Sequence, residues 1–375
     1  MMAINDRVIQ VKQALIKDVC NTINAHIKIQ KNDYLNDGKF PIIDQSSNPI
    51  AGYTDVEKAV IDNGEYVIFG DHTRIIKFVD FPFAQGADGI KIIKACSYVQ
   101  PKFLYYSLCN LDIPNKGYSR HWGLVSNLNI NIPSVNVQEE IVKILDSFTN
   151  LIDALNEELS LRQKQFEYYR EKLLTFDETV ERLSFGNDFS LKARIGWQGL
   201  TQKEYRKSGD YYLITGTDFK DGNKIDFSTC VYVDKDRYTQ DPNIQIKPND
   251  VLITKDGTLG KVAFIEKMDK PATLNGGVFV VRSKVGGVIP KYVAYYLSSP
   301  IFKNWIEQNH TNGSIMHLTQ KLLVKFEIAI PSTEVQQSIV EKLDAFESLI
   351  ASLKEEIALR QKQYEYYREK LLTFD

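Results

Sequence analysis

The chain has 375 residues, with 46 Lys and Arg against 48 Asp and Glu, a net charge of -2, 43% hydrophobic residues and 25% charged ones. That balance excludes a chain disordered in bulk, and the sequence holds no apolar run of the roughly 18 residues a membrane span needs. The first residues, MMAINDRVIQVKQALIKD, are charged and lack the apolar stretch of a secretory leader, so a cytoplasmic setting is expected.

In chain order, residues 1–132 mix strands and turns. Tyr66–Phe69 is a short apolar run ended by Gly70, and Thr73–Val79 alternates with period two, so both are predicted strands. A turn at Gly86–Gly89 leads into a strand at Ile90–Ile93, and Phe103–Leu108 is predicted helical. Residues 133–177 form a long helix by pattern. Residues 178–192 show no strong periodicity and are read as a linker. Within 178–330 the order recurs: strand Asp250–Thr254, turn Lys255–Thr258, strand Lys261–Ile265, turn Asn275–Gly277, strand Val278–Arg282, helix Tyr292–Leu297. A second long helix occupies 331–375. The expected fold is mixed α/β (α+β): two pseudo-symmetric globular domains separated by an antiparallel coiled coil of two long helices.

An internal repeat carries this reading. Residues 130–177 match 328–375 at 32 of 48 positions, and LRQKQFEYYREKLLTFD at 161–177 returns at 359–375 with one change, Phe166 to Tyr364. Ile141, Leu145, Phe148, Ile152, Leu155 and Leu159 step by four and three, and the series continues to Phe176, as a coiled-coil seam does. About 40 residues of helix span roughly 60 Å. Thr333 with Gln336 has the spacing of a capping box. Arg162 and Arg360 hold equivalent seam positions. Two readings stay open for them: snorkelling to solvent, or a polar register lock with a Glu of the opposite helix.

The chemistry-bearing motifs are mostly absent. Gly257–Lys261 lacks the spacing of a phosphate loop, and no dinucleotide turn, nucleophile elbow or zinc-protease helix occurs. Cys20, Cys96, Cys109 and Cys230 stand far apart, and the five histidines show no metal-ligand spacing, so no metal site is expected. The polar turns instead supply binding groups. His72, Thr73 and Arg74 follow Gly70-Asp71. Lys116, Tyr118, Ser119, Arg120 and His121 crowd a Gly-containing loop. Lys255, Asp256, Thr258 and Lys261 cluster in the second domain, where Asn312, Ser314 and His317 lie on another polar loop. Such side chains read base edges and hold phosphates.

At this point the chain resembles the DNA-specificity subunit of type I restriction–modification systems. The carriers are the duplicated Ile-Pro-Ser … Val-x-Gln-x-x-Ile-Val-x-x-Leu-Asp helix starts at 132–146 and 330–344. The Gly70–Arg74 turn, the Asp256–Lys261 turn and the Gly313-Ser314 … Leu318-Thr-Gln320 loop add to them. The resemblance implies a non-catalytic subunit with target-recognition domains at 1–132 and 178–330, each reading half of a bipartite site in double-stranded DNA. The helices at 133–177 and 331–375 would set the spacer and dock two modification (methyltransferase) subunits, in a complex that restriction subunits can join. S-adenosylmethionine, ATP and Mg would belong to those partners. Half-sites one DNA turn apart, about 34 Å, fall on one face of the duplex, a separation that helices of roughly 60 Å can hold. The competing readings are a coiled-coil adaptor with two protein- or glycan-binding domains, and an autonomous nuclease or methyltransferase.

Charge divides unevenly along the chain. Residues 1–132 carry +1, 133–177 carry -4, 178–330 carry +4 and 331–375 carry -3. The helices are acidic and the globular segments mildly basic, so weak DNA binding by the chain alone is expected, with partners neutralising most phosphates.

Overall fold

A computed structural model describes residues 10–86, 89–256, 259–309 and 318–374. The chain divides into two compact units. Unit 1 combines the residues up to Asn156 with those from Glu356 onward, and unit 2 runs from Glu157 to Glu355. The two long helices, Val135–Leu174 and Thr333–Thr373, each contribute to both units.

Unit 1 holds three sheets. A four-stranded antiparallel sheet has the order Cys20–Ile23, Ile90–Ala95, Tyr66–Gly70, Ile76–Val79. A second follows the order Gly52–Thr54, Phe40–Ile43, Phe83–Gln85, Val60–Ile61, with its central pair parallel. Lys12–Leu15 pairs with Asn129–Ile132 in the third. The strand Tyr66–Gly70 is buried throughout, which explains its continuous apolar run. Val67 and Phe69 face the helix Pro101–Cys109 in one core, while Tyr66 and Ile68 face the other sheet in a second, as a period of two requires.

Unit 2 repeats this plan strand for strand. Phe189–Lys192, Val278–Ser283, Val251–Thr254 and Val262–Phe264 form the first sheet. Val231–Val233, Tyr211–Ile214, Ala272–Leu274 and Gln245–Ile246 form the second, again with a parallel central pair, and Arg182–Ser184 pairs with Glu327–Ala329. Unit 2 adds a hairpin, Phe219–Lys220 with Lys224–Ile225, and a helix at Pro300–Asn309.

Three sequence expectations change. Residues 178–192 are no linker, because they supply two strands, and Phe185 and Phe189 stack at 4.6 Å in the core of unit 2. Strands of three and four residues are too short to show a period. The strand placed at Thr73–Val79 begins at Ile76, since Arg74 takes a φ of 63° in a turn. The Thr333–Gln336 capping box does not form. Ser332 Oγ accepts from the Val335 N–H at 3.4 Å, and Gln336 is buried and used elsewhere.

The long helices pair antiparallel within each unit. In unit 1, Asn131 beside the first helix's start donates to the carbonyls of Leu372 and Thr373, and Phe148 stacks on Tyr367 at 5.4 Å. In unit 2, Phe166 and Tyr169 pack on Phe346 at 6.4 and 5.6 Å.

The attachment of sheets to helices is also duplicated. Gln138, fully buried, donates to the carbonyls of Tyr98 and Pro133 and accepts from the Gln100 N–H. Gln336 does the same with Gly287, Pro331 and Ile289. Asp146 accepts from Tyr106 at 2.6 Å and Lys102 at 2.8 Å, and Asp344 accepts from Tyr295 at 2.5 Å and Lys291 at 2.9 Å. Each Lys and Tyr lie four residues apart on one helix, so both reach one carboxylate.

Candidate nucleic-acid interface

In each unit the turn that follows a central strand of the first sheet is tied to two later segments through the same backbone scheme. In unit 1 the Asp71 N–H donates to Gly89 O at 2.7 Å, and Asp71 O accepts from the His121 N–H at 2.9 Å. In unit 2 the Lys255 N–H donates to Gly277 O at 2.9 Å, and Lys255 O accepts from the Leu318 N–H at 3.0 Å. A chain constrained in this way carries its loop side chains on a fixed base.

Unit 1 shows how the base is built. Gly70 opens the turn, where a Cβ would overlap Thr73 Oγ1. The Arg74 N–H closes it onto Gly70 O at 2.7 Å. Thr73 Oγ1 donates to Gln45 O at 2.7 Å, and the His72 N–H donates to Gln45 Oε1 at 3.3 Å. Arg74, held at a φ few non-glycine residues adopt, donates from Nη1 to Ile113 O at 2.8 Å and so ties the following loop to the turn.

His121 is 1% exposed. Its Nε2 accepts from the Lys116 N–H at 3.2 Å, so Nδ1 carries the proton and donates to Asp71 O at 2.9 Å. The Asp71 carboxylate accepts from the Trp122 N–H at 2.7 Å. Arg74 and His121 therefore position the loop. The outward groups are Lys116, Arg120 and Tyr118. The Tyr118 ring is 89% exposed and stacks on His72 with centroids 4.5 Å apart and planes 9° from parallel. His72 Nδ1 and Ser119 Oγ are buried without a hydrogen-bond partner.

In unit 2, Lys255 is half-buried with its ammonium 5.3 Å from the Phe279 ring centroid, a cation–π contact. Asp256 and Lys261 are exposed, and the Lys261 N–H donates to Thr254 Oγ1 at 2.9 Å. Thr258, Asn312, Ser314 and His317 lie outside the described residues. Among the described residues, no group of three or more His, Cys, Asp or Glu is placed to hold a metal.

The register lock proposed for Arg162 and Arg360 is corrected. Arg162 bonds Glu158 and Gln165, and Arg360 bonds Glu356 and Gln363, all on their own helices. Spacings of i−4 and i+3 bring those acceptors within reach on the same helix face.

Sequence reasoning missed Gln45, which organises the turn of unit 1. It also missed Arg194, 2% exposed, which donates to Leu274 O, Gln240 Oε1 and Thr273 Oγ1 in unit 2. Their partners are far away in sequence, so no local signal marks either. The Lys-x-x-x-Tyr pairs at 102–106 and 291–295 were legible as a repeated spacing.

Two copies of one sheet plan, each tied by the same backbone scheme at a turn that carries different side chains, define a paired recognition scaffold. A family described as the type I restriction modification DNA specificity domain matches residues 10–161 and again 198–359. The chain belongs to this family of type I restriction–modification specificity subunits, whose part in the complex is DNA sequence specificity and is non-catalytic. It is similar to the EcoR124I/EcoR124II specificity subunit of Escherichia coli, 31% identical over 374 residues, covering 92% of this chain and 90% of the relative. The S subunit structure from M. genitalium has the same fold, with a TM-score of 0.62, 16% identity and coverage of 98% and 97% of the two chains. A structure from a study of type I system assembly and conformational transition gives a TM-score of 0.59 at 16% identity, covering 97% and 98%.

Proposed function

We propose that each unit reads one half of a bipartite target in double-stranded DNA, and that the long helices set the spacer between the halves. The observation that carries this is the shared loop scheme at Asp71 and Lys255 bearing different side chains. In unit 1 the reading surface is Tyr118 on His72, flanked by Lys116 and Arg120. In unit 2 it is the turn carrying Asp256 and Lys261.

Two modification subunits dock on the helices. Equal exposed apolar patches support this: Leu161 and Tyr168 are 53% and 57% exposed, and their duplicates Leu359 and Tyr366 are 50% and 56% exposed. Lys172 and Lys370 sit over the two tyrosine rings at 5.7 and 5.8 Å. Large apolar side chains repeated in kind and exposure suit two copies of one partner. S-adenosylmethionine, ATP and Mg are placed in those partners and in restriction subunits. Among the described residues no helix is long and apolar enough to cross a membrane.

The test maps methylated adenines at base resolution in cells co-expressing this chain and a modification subunit. An asymmetric two-part motif is expected. Replacing residues 1–132 with another member's first domain should change one half alone, and a change in both halves would reject the modular reading. Adding matched whole heptads to both helices should change the spacer length.

A further inference from the structure

Unit 2 holds a groove that goes beyond the recognition loops. It has a volume of about 550 Å³ and lies between the long helices and the added hairpin Phe219–Ile225. Its basic lining is Arg170, Lys220, Lys224, Lys261 and Lys354, against Glu167, Asp221 and Glu347. Arg170 is the deepest of the cations. Its side chain is 13% exposed and packs on the Phe166 ring, with Glu167 taking Nη2 while Nε is buried without a partner. The lysines are exposed and line the groove. Burial and the like charge of Asp344 push the Glu347 carboxyl up.

The duplication supplies an internal control. Unit 1 joins Phe40–Ile43 to Gly52–Thr54 by eight residues, 44–51. Unit 2 joins Tyr211–Ile214 to Val231–Val233 by sixteen, 215–230, and the hairpin with Lys220 and Lys224 lies in that excess. On the helix wall, Glu347, Ala351 and Lys354 of unit 2 stand where the repeat has Thr149, Asp153 and Asn156. Unit 1 therefore has an acid in place of Ala351, no lysine in place of Lys354, and no equivalent hairpin.

We infer that this groove is an anion site for a phosphate-bearing ligand, with Lys224 and Lys354 gripping the phosphate from the two walls and Arg170 reaching it from below. Two sources share that chemistry: a phosphodiester of the DNA backbone, and a free polyphosphate. A compact ammonium suits a phosphate as a point charge, and a guanidinium with a spare N–H adds direction.

The test uses the full chain, with tripolyphosphate and a labelled DNA duplex as the probes. Ala351→Asp with Lys354→Asn installs the residues that the other copy of the repeat already tolerates, and Lys224→Gln on the hairpin is an independent second variant. Thermal melting checks that both fold. Tripolyphosphate is expected to bind the wild-type chain about tenfold more tightly than either variant, and Asp153→Ala with Asn156→Lys in unit 1 should add no second site. If DNA is the source, the slope of log affinity against log salt falls by about 1 in the variants, and duplex competes with tripolyphosphate. If the ligand is a free polyphosphate, tripolyphosphate binding weakens about tenfold in the variants while the DNA slope stays. Folded variants matching wild type in both measurements would overturn the site. Because the tripolyphosphate arm needs no recognition sequence, its failure is separable from failure of the bipartite reading, which the methylation map decides.

Discussion

Unit 1 and unit 2 differ least where they hold the long helices and most where they face outward. Gln138 and Gln336 make three equivalent hydrogen bonds each, and the Lys–Tyr–Asp brace recurs with distances that agree to about 0.1 Å. Above that common base, one unit carries a tyrosine stacked on a histidine and the other a lysine over a phenylalanine. The mechanical attachments are held constant and the surfaces vary. A unit built this way changes what it reads without changing how it is mounted.

The comparison breaks most sharply at the buried glutamines. Gln138→Ala and Gln336→Ala each leave one N–H and two carbonyls without a partner, and each should cost about 3 kcal/mol in chemical denaturation. A cost at one site and none at the other would end the equivalence.

Next come the carboxylates. Asp146→Ala should cost about 2 kcal/mol, because Lys102 and Tyr106 both lose their acceptor in a half-exposed setting. Asp344→Ala should cost less on the lysine side, since Lys291 keeps Glu266 at 2.8 Å.

His121→Ala removes the ring that joins Lys116 to Asp71. It should relax one half of the methylated motif while leaving the other half intact, as read by methylation mapping. Relaxation of both halves would show that the loops are not independent.

Arg162→Ala and Arg360→Ala should each cost no more than about 0.5 kcal/mol, the scale of exposed pairs within one helix. A larger loss in either would revive a role across the seam.

The smallest effect is chemical. Burial raises the thiols of Cys20 and Cys109, to about 12 and about 11. Both should alkylate slowly at pH 8 in the native protein and rapidly once it is unfolded, because the thiolate is the nucleophile. Fast native labelling of either would show that the core of unit 1 opens.

Much of this fold was written in repeats and periods. The seam from Ile141 to Phe176, the all-apolar strands at Tyr66 and Val251, and the offset copying of Asp146 as Asp344 needed only spacing to be seen. The edge strands at 182–184 and 189–192 did not show, because three or four residues cannot display a period. For the interface, sequence chemistry found the right loops but not the roles within them. Arg74 and His121 look like contact residues in the sequence, and each also holds a carbonyl that only the fold brings near. Gln45 looks like surface and is the clasp of the turn. Long-range backbone partners decide which polar residue points outward, and no local pattern encodes them.

Unit 1 is discontinuous along the chain, and that fixes an order of assembly during synthesis. Its core includes Tyr364 and Leu372, which follow all of unit 2 in the chain. Unit 2 runs without a break from Glu157 to Glu355, so it can close while its own segment emerges, as domains generally fold in units during translation. Unit 1, begun first, must wait with Ile141, Leu145 and Ile152 unsealed until the residues after Glu355 have emerged. Of the two units, the one begun first is thus the later to mature, and a ribosome stalled before residue 356 would leave a finished unit 2 tethered to an open unit 1.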